Sequence, residues 1–272
     1  MKEIQINNEN YNKKSKRTGI FTTGIVSVIN KIKIALYFTG RNHSGENMEI
    51  LLKERAKGKS PPLQMCDALS RNMSGEFVTI LCNCLAHARR KFVEIVHNFT
   101  EECLYVIRIL KDVYHYDKIA RDEKMSPSER LAFHQKNSAP LMDELKQWIE
   151  YQFKENNVEP NGSLGGALQY FLNHWKELTM FLQVENAPLD NNICEQALKK
   201  AILHRKNAYF FKTETGALMG DICMSIIETC RLNNINPFDY LVAVQKYNAV
   251  VQNDIDGWMP WNYQKSAAYM SG

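Results

Sequence analysis

No run of apolar residues in the 272-residue sequence is long enough to cross a bilayer. Met1 to Arg17 is polar and basic without an apolar stretch, so no secretory signal is expected there. Both absences point to a cytoplasmic protein with no membrane partner. There is no C-x-x-C pair, and the seven cysteines (Cys66, Cys82, Cys84, Cys103, Cys194, Cys223 and Cys230) are scattered and odd in number. Free, mostly buried thiols are therefore expected rather than a disulfide framework. Cys82, Cys84 and His87 are metal-type donors, but a fourth partner is missing and the spacing fits no zinc module. A strong excess of one charge is also missing. The net charge of +4 is too small to argue for nucleic acid by itself. Local basic clusters remain at Lys13–Arg17, Arg89-Arg90-Lys91, Lys199-Lys200 and His204-Arg205-Lys206, and each taken singly reads as a solvated face. No internal repeat is evident. Finally, no aspartate precedes Asp67; the upstream acids are Glu3, Glu9, Glu46, Glu49 and Glu54.

What is present is a globular composition, 44% hydrophobic. Residues 1–16, rich in Asn and Lys, read as a linker or disordered end. Two β-prone runs follow, Gly19–Val28 and Ile34–Thr39, with a hairpin turn at Asn30-Lys31. A helix fits Glu46–Ala56. Short buried strands fit Leu63–Cys66 and Phe77–Cys82. Strand, strand, helix, strand, strand predicts an α/β fold with one mixed sheet and helices on its faces. Leu85, Ala88, Phe92, Ile95, Val96 and Phe99 then mark one helical face. From there to Pro188 the pattern is all-helical: Cys103–Ala120, a helix started by Ser126-Pro127-Ser128-Glu129, Pro140–Lys154, and one helix from Ser163 through Leu182. This stretch reads as an insertion packed on the sheet domain. A helix opening near Asp190-Asn191-Asn192 runs to Asn207, Asn207–Phe211 is aromatic, Thr215 can cap another helix, and Asn236-Pro237 starts the last. Trp258 and Trp261 form an aromatic anchor in the tail.

Two carboxylates stand out. Asp67 ends a buried strand, where sheet enzymes display catalytic acids, though an Asp there also caps the turn that follows. Glu195 projects from the first turn of a helix that turns basic. Its spacing from Asn192 equally fits a capping box. Carboxylates of this kind can hold a pair of Mg²⁺ ions about 4 Å apart for displacement at phosphorus. His87 and Arg90 face away from an apolar stripe, toward DNA phosphate or simply toward solvent. Arg205, Lys206 and Asn207, with Lys199 on the same helix, suit contacts to a nucleic-acid backbone.

Four segments taken together resemble the insertion sequence 66 family of bacterial transposases: Pro61–Asn72 around Asp67, Cys84–Phe92, Ala187–Glu195 and His204–Asn207. The resemblance runs from about Arg17 to Tyr240. It implies a ribonuclease-H-like core with a DDE triad, in which Asp67 matches the second acid and Glu195 the third. Cys84, His87 and Arg90 match a motif after that Asp, and the helical stretch matches an insertion before the Glu. The implied organisation is 17–99 and 188–232 as the two parts of the core, 100–187 as the insertion and 233–272 as a C-terminal element. Two Mg²⁺ ions, element-end and target DNA, and a homo-oligomer are implied with it. The family's first Asp lies on a strand upstream of Phe21, and no such Asp is present. The expectation is therefore an incomplete core, with its first strand missing and an unpaired sheet edge. Its function is either DNA strand cleavage and transfer, or that of an inactive remnant that binds DNA or full-length transposase. Nothing in the sequence supports a third reading, an RNA-cleaving nuclease of the same fold.

Overall fold

A computed structural model of the chain describes residues 19–56, 58–73, 75–208 and 211–270. The expected linker at 1–16, the Lys13–Arg17 cluster, Tyr209 and Phe210 lie outside the described residues. The chain forms two compact units: residues 1–53 with 193–272, and residues 54–192. The fold is mixed α/β, mostly helical with small sheets. In place of one mixed sheet, the described residues form two separate two-stranded sheets.

In the first unit, β1 (Phe21–Ile29) and β2 (Ile32–Gly40) form the expected antiparallel hairpin. Asn30 and Lys31 both have positive φ, 48° and 74°. That is the type I′ pattern, whose twist matches the flanking strands. Helix α1 (Ser44–Lys53) follows, fixed to β1 by a 2.9 Å bond from Asn47 Nδ2 to Thr23 Oγ1.

Helix α8 (Asn192–Asn207) lies on one face of the hairpin, where Ala197 and Ala201 meet Ala35 and Tyr37. Small side chains let the backbones approach, and the Tyr37 hydroxyl donates to Ala197 O at 2.7 Å. A Cβ at Gly24 would stand 3.3 Å from Leu198 Cδ1.

Helix α9 (Glu214–Leu232) runs along the outer edge of β2 and takes the place of a third strand. The Lys33 amide donates to Asn233 Oδ1 (3.1 Å), that of Ala35 to Thr229 Oγ1 (3.0 Å) and that of Tyr37 to Ser225 Oγ (3.0 Å); that of Thr39 donates to Asp221. Thr229 Oγ1 donates back to Ala35 O (3.2 Å), and Asn233 Nδ2 to Lys33 O (2.6 Å). Four residues along a helix advance about 6 Å and two along a strand about 6.8 Å. An i, i+4 row of short polar side chains therefore stays in step with every second amide of β2. This saturated edge is why no further strand pairs there, and why the unpaired edge expected from the sequence is not found on β2.

Helix α9 is capped by Thr213, whose Oγ1 accepts from the Gly216 amide at 3.0 Å, and not by Thr215 as its sequence suggests. Helices α10 (Pro237–Lys246), α11 (Asn248–Val251) and α12 (Tyr263–Tyr269) close the unit. Trp258 docks as expected: it is buried with Cys230, Tyr240 and Tyr263, and its carbonyl accepts from the Tyr240 hydroxyl at 3.0 Å.

In the second unit, β3 (Leu63–Cys66) and β4 (Ile80–Asn83) pair in parallel. Strand β4 starts later than the sequence indicates, because pairing begins where the Ile80 amide meets Pro62 O. Helices α2 (Leu85–Ile95), α3 (Thr100–Asp122), α4 (Pro127–Asn137), α5 (Ala139–Lys154), α6 (Ser163–Asn173) and α7 (Trp175–Leu178) follow. Phe92, Leu110, Met142, Ile149, Leu168 and Phe171 share one apolar core with Leu63, Met65, Ile80 and Cys82 from the sheet. The capping box at Ser126 and Glu129 is present. The single helix expected over 163–182 is broken after Asn173 and again at Thr179, whose hydroxyl back-bonds to Trp175 O at 2.8 Å.

A buried polar node sits among these helices. The Asp117 carboxylate accepts from Arg130 (2.7 Å) and contacts His134 Nε2 (3.3 Å) and Arg121 (3.2 Å). His134 Nδ1 lies 2.9 Å from Ser138 Oγ. This is a Ser-His-Asp arrangement, but Ser138 is 0% exposed, so it holds the helices together and reaches no substrate. Among the described residues no helix is long and apolar enough to cross a membrane.

Thr229→Val keeps the shape and leaves the Ala35 amide without its acceptor. It should cost about 1–3 kcal/mol, read as a lower urea midpoint; an unchanged midpoint would show that the edge bonds contribute nothing.

Burial pushes the Asp117 carboxyl up, but the His134 bond and the Arg130 and Arg121 charges outweigh it and hold it below the usual range. Its stabilising effect is therefore complete above the unfolded carboxyl value and is lost as pH falls through the lower folded value. Asp117→Asn should flatten the acid limb of stability against pH and destabilise by about 3–5 kcal/mol. Acid unfolding with the same slope in wild type and variant would contradict this.

Candidate functional site

Asp67 follows Cys66, the last residue of β3, which pairs with Asn83, the last residue of β4. Ligands gather at such carboxyl ends of parallel strands. The Asp67 carboxylate accepts from the Asn72 side-chain amide. Asn72 is held in turn, because its carbonyl accepts from Gln64 Nε2 at 2.6 Å. Gln64 Oε1 accepts from the Thr79 hydroxyl at 3.0 Å. The relay Thr79–Gln64–Asn72 therefore runs from the sheet to the carboxylate and sets its orientation. The expected capping role takes this form: the turn over Ser70–Asn72 is tied to Asp67 by a side-chain amide.

The thiols nearby remain protonated at neutral pH. Burial, then the charge of Asp67, pushes Cys66 up to about 12. Burial pushes Cys82 up to about 11, and Cys82 faces the apolar core. Cys84 is buried just before α2, and its thiol faces the backbone amides of Asn191, His87 and Ala86. His87 is half-buried in the first turn of α2, and Arg90 is exposed one turn on.

Helix α8 is entered through Asp190, whose carboxylate accepts the Asn192 amide at 3.1 Å. Asn192 is the first helical residue, which puts Glu195 one position later than a capping box requires. Glu195 is half-buried, and Asp67 and Glu195 belong to different compact units. Cys194, beside it, donates to Gly24 O at 3.1 Å. Lys199, Lys206 and Asn207 are exposed. Arg205 is half-buried, and its Nη1 donates to Thr22 Oγ1 at 2.6 Å on the hairpin. Lys200 pairs with the buried Glu228 at 2.8 Å.

Sequence reasoning missed Gln64, Asn72 and Thr79. They meet only once the turn after β3 has closed, and no periodicity announces that. It also missed Tyr170 of α6, whose phenol is pushed up by burial and then by the charge of Asp67.

The sequence model of the Transposase IS66 family matches residues 7–219 of this chain. Among curated proteins, three from Sinorhizobium fredii, each named as uncharacterized, are similar. Protein y4jD is 30% identical over 218 residues, 79% of this chain and 39% of its own length. Protein y4hP is 30% identical over 201 residues, 68% of this chain and 35% of its own length. Protein y4qI is 25% identical over 206 residues, 74% of this chain and 37% of its own length. The chain thus spans less than two fifths of the length of these relatives. No solved structure matches it.

Proposed function

Because the chain belongs to the Transposase IS66 family, we propose that it is the catalytic region of a transposase acting on DNA strands at the ends of an insertion sequence. The observation that carries this reading is the Asp67 carboxylate, held by Asn72 at the carboxyl end of a parallel strand pair. In this reading Asp67 and Glu195 are two acids of a DDE set. The antiparallel hairpin and the parallel pair are then parts of a ribonuclease-H-like core, and the helices of 100–187 are an insertion into it. A homo-oligomer in the cytoplasm belongs to the same reading.

Asp67 and Glu195 would hold Mg²⁺. The fit lies in the donor set: hard carboxylate oxygens suit that ion, whereas the neighbouring Cys66 stays a thiol. The chemistry supplied by two such ions is activation of a water or 3′-hydroxyl and stabilisation of the leaving oxygen at phosphorus. The chain's own contribution is orientation and binding. Asn72, through Gln64 and Thr79, fixes the Asp67 carboxylate. Arg90, Lys199, Lys206 and Asn207 offer exposed donors to phosphate, with His87 beside the first of them. Arg205 would act from the hairpin edge, where Thr22 holds it.

Within these 272 residues no aspartate precedes Asp67, so this stretch by itself supplies only two acids of such a set, and binding of DNA or of full-length transposase without cleavage is the second reading. Two carboxylates place a metal pair poorly. The 272 residues alone should therefore fail to join linear element ends in Mg²⁺ or Mn²⁺, and robust joining would overturn that expectation. In a longer relative, changing the acid that aligns with Glu195 to Gln should abolish joining and leave thermal stability unchanged. Retained joining would remove Glu195 from the site.

Duplex binding gives a separate check. Lys206→Ala should weaken binding about equally for all sequences and lower the log–log salt slope by about 0.9. A slope unchanged in anisotropy titrations would exclude Lys206 from the DNA surface.

A further inference from the structure

Two threonines of the hairpin and one aspartate of α9 stand in line behind Arg205. Arg205 Nη1 donates to Thr22 Oγ1 at 2.6 Å. Thr22 Oγ1 lies 3.2 Å from the hydroxyl of its cross-strand partner, Thr39. Thr39 Oγ1 donates to Asp221 Oδ1 at 2.8 Å, and the Thr39 amide donates to Asp221 Oδ2. All four residues belong to the unit formed by residues 1–53 and 193–272.

A hydroxyl has a single proton to give. That of Thr39 goes to Asp221, so Thr39 receives from Thr22. Thr22 then gives its proton to Thr39 and receives from Arg205. The three side-chain bonds therefore point one way, from a guanidinium to a carboxylate. Bonds in a chain of that polarity polarise and strengthen one another. Ala201, Phe211 and Met224 line the space around the chain, about 10 Å³, no more than a single water needs. A Cβ at Gly220 would run into the Phe211 ring, so glycine there lets the ring lie beside the chain.

The identity of residue 221 is the second observation. Ser225, Thr229 and Asn233 serve the edge of β2 with neutral side chains. Edge pairing alone thus calls for no carboxylate, and burying one is costly unless a charge answers it. Asp221 is 8% exposed, and the charge at the far end of its chain is Arg205.

We propose that Asp221, Thr39 and Thr22 are positioning residues for Arg205: they hold its guanidinium at the hairpin edge in one orientation, set to meet a DNA phosphate. A guanidinium is a rigid planar fork, so its orientation decides how it meets a phosphate. Holding it beforehand lowers the side-chain ordering cost of binding. The inference rests on the reading of Arg205 as a DNA contact.

The test is a double-mutant cycle on the whole chain, read as the Kd for duplex DNA by anisotropy. Arg205→Ala should weaken binding by about tenfold. Thr39→Val removes the relay hydroxyl, keeps the amide bond to Asp221, and should weaken binding by about fivefold. Added to Arg205→Ala, it should change nothing further. Thr39→Ser keeps the hydroxyl and should bind as wild type does. A merely structural threonine would weaken binding by the same factor with or without Arg205, and that result would overturn the proposal. Should Thr39→Val fold poorly, Thr22→Val breaks the chain beside Arg205 and should give the same cycle. If Arg205→Ala weakens binding while both valine variants bind as wild type does, the relay has no such role and Arg205 remains a DNA contact. If Arg205→Ala itself binds as wild type does, Arg205 does not touch DNA, and both that reading and this inference fall.

Discussion

The hairpin unit depends on a helix that behaves as a strand. A two-stranded sheet is not stable alone in water, and β2 has an outer edge of amides and carbonyls that must be satisfied. Helix α9 satisfies it with Asp221, Ser225, Thr229 and Asn233, one residue per turn. These are poor residues for a helix interior, because they compete for backbone bonds. Their bonds here go to β2 and offset that weakness. The arrangement has an electrostatic cost. Burial pushes the Asp221 carboxyl up, and the Thr39 donors and the Arg205 charge only partly oppose it. Ionised Asp221 is therefore a strained member of the row, and its contribution weakens as pH rises through its elevated value.

The helical unit rests on a different node. Asp117 gathers Arg130, His134 and Arg121, and Arg130 Nη1 reaches on to Ala187 O at 3.4 Å. The Leu85 amide, in turn, donates to Leu189 O at 2.9 Å. Together they tie down the segment from Ala187 to Asp190 that leads into α8. The His134–Ser138 contact shows why a catalytic-looking triad is not yet a site. Geometry is present, but a sealed serine cannot meet a substrate. Asp67 has less regular surroundings and a half-exposed side chain, and is the better candidate.

Features with a local cause were legible in the sequence. The Asn30-Lys31 turn, the Ser126 capping box, the Asn236-Pro237 start and the strand before Asp67 all follow from residues within a few positions of one another. Features made by distant residues were not. A polar row on α9 looks like a solvated face until β2 is laid along it. One mixed sheet was expected because strand order says nothing about which edges helices will occupy. Asp67 was legible as a strand-end acid, whereas its orientation by Asn72 depends on Gln64 and Thr79 meeting across two strands. Arg205 read as a free basic side chain, but a threonine on the hairpin holds it.

The edge bonds between β2 and α9 join residues 182 to 200 positions apart. During synthesis the hairpin therefore leaves the ribosome long before the helix that covers it. The helical unit, Glu54–Asn192, is a compact unit of its own and is fully synthesised in the interval. Meanwhile β2 waits with its amides open to any strand that arrives first. The nascent chain is then most exposed to chaperones, or to a neighbouring copy's hairpin, in the time that translation takes to travel from β2 to α9.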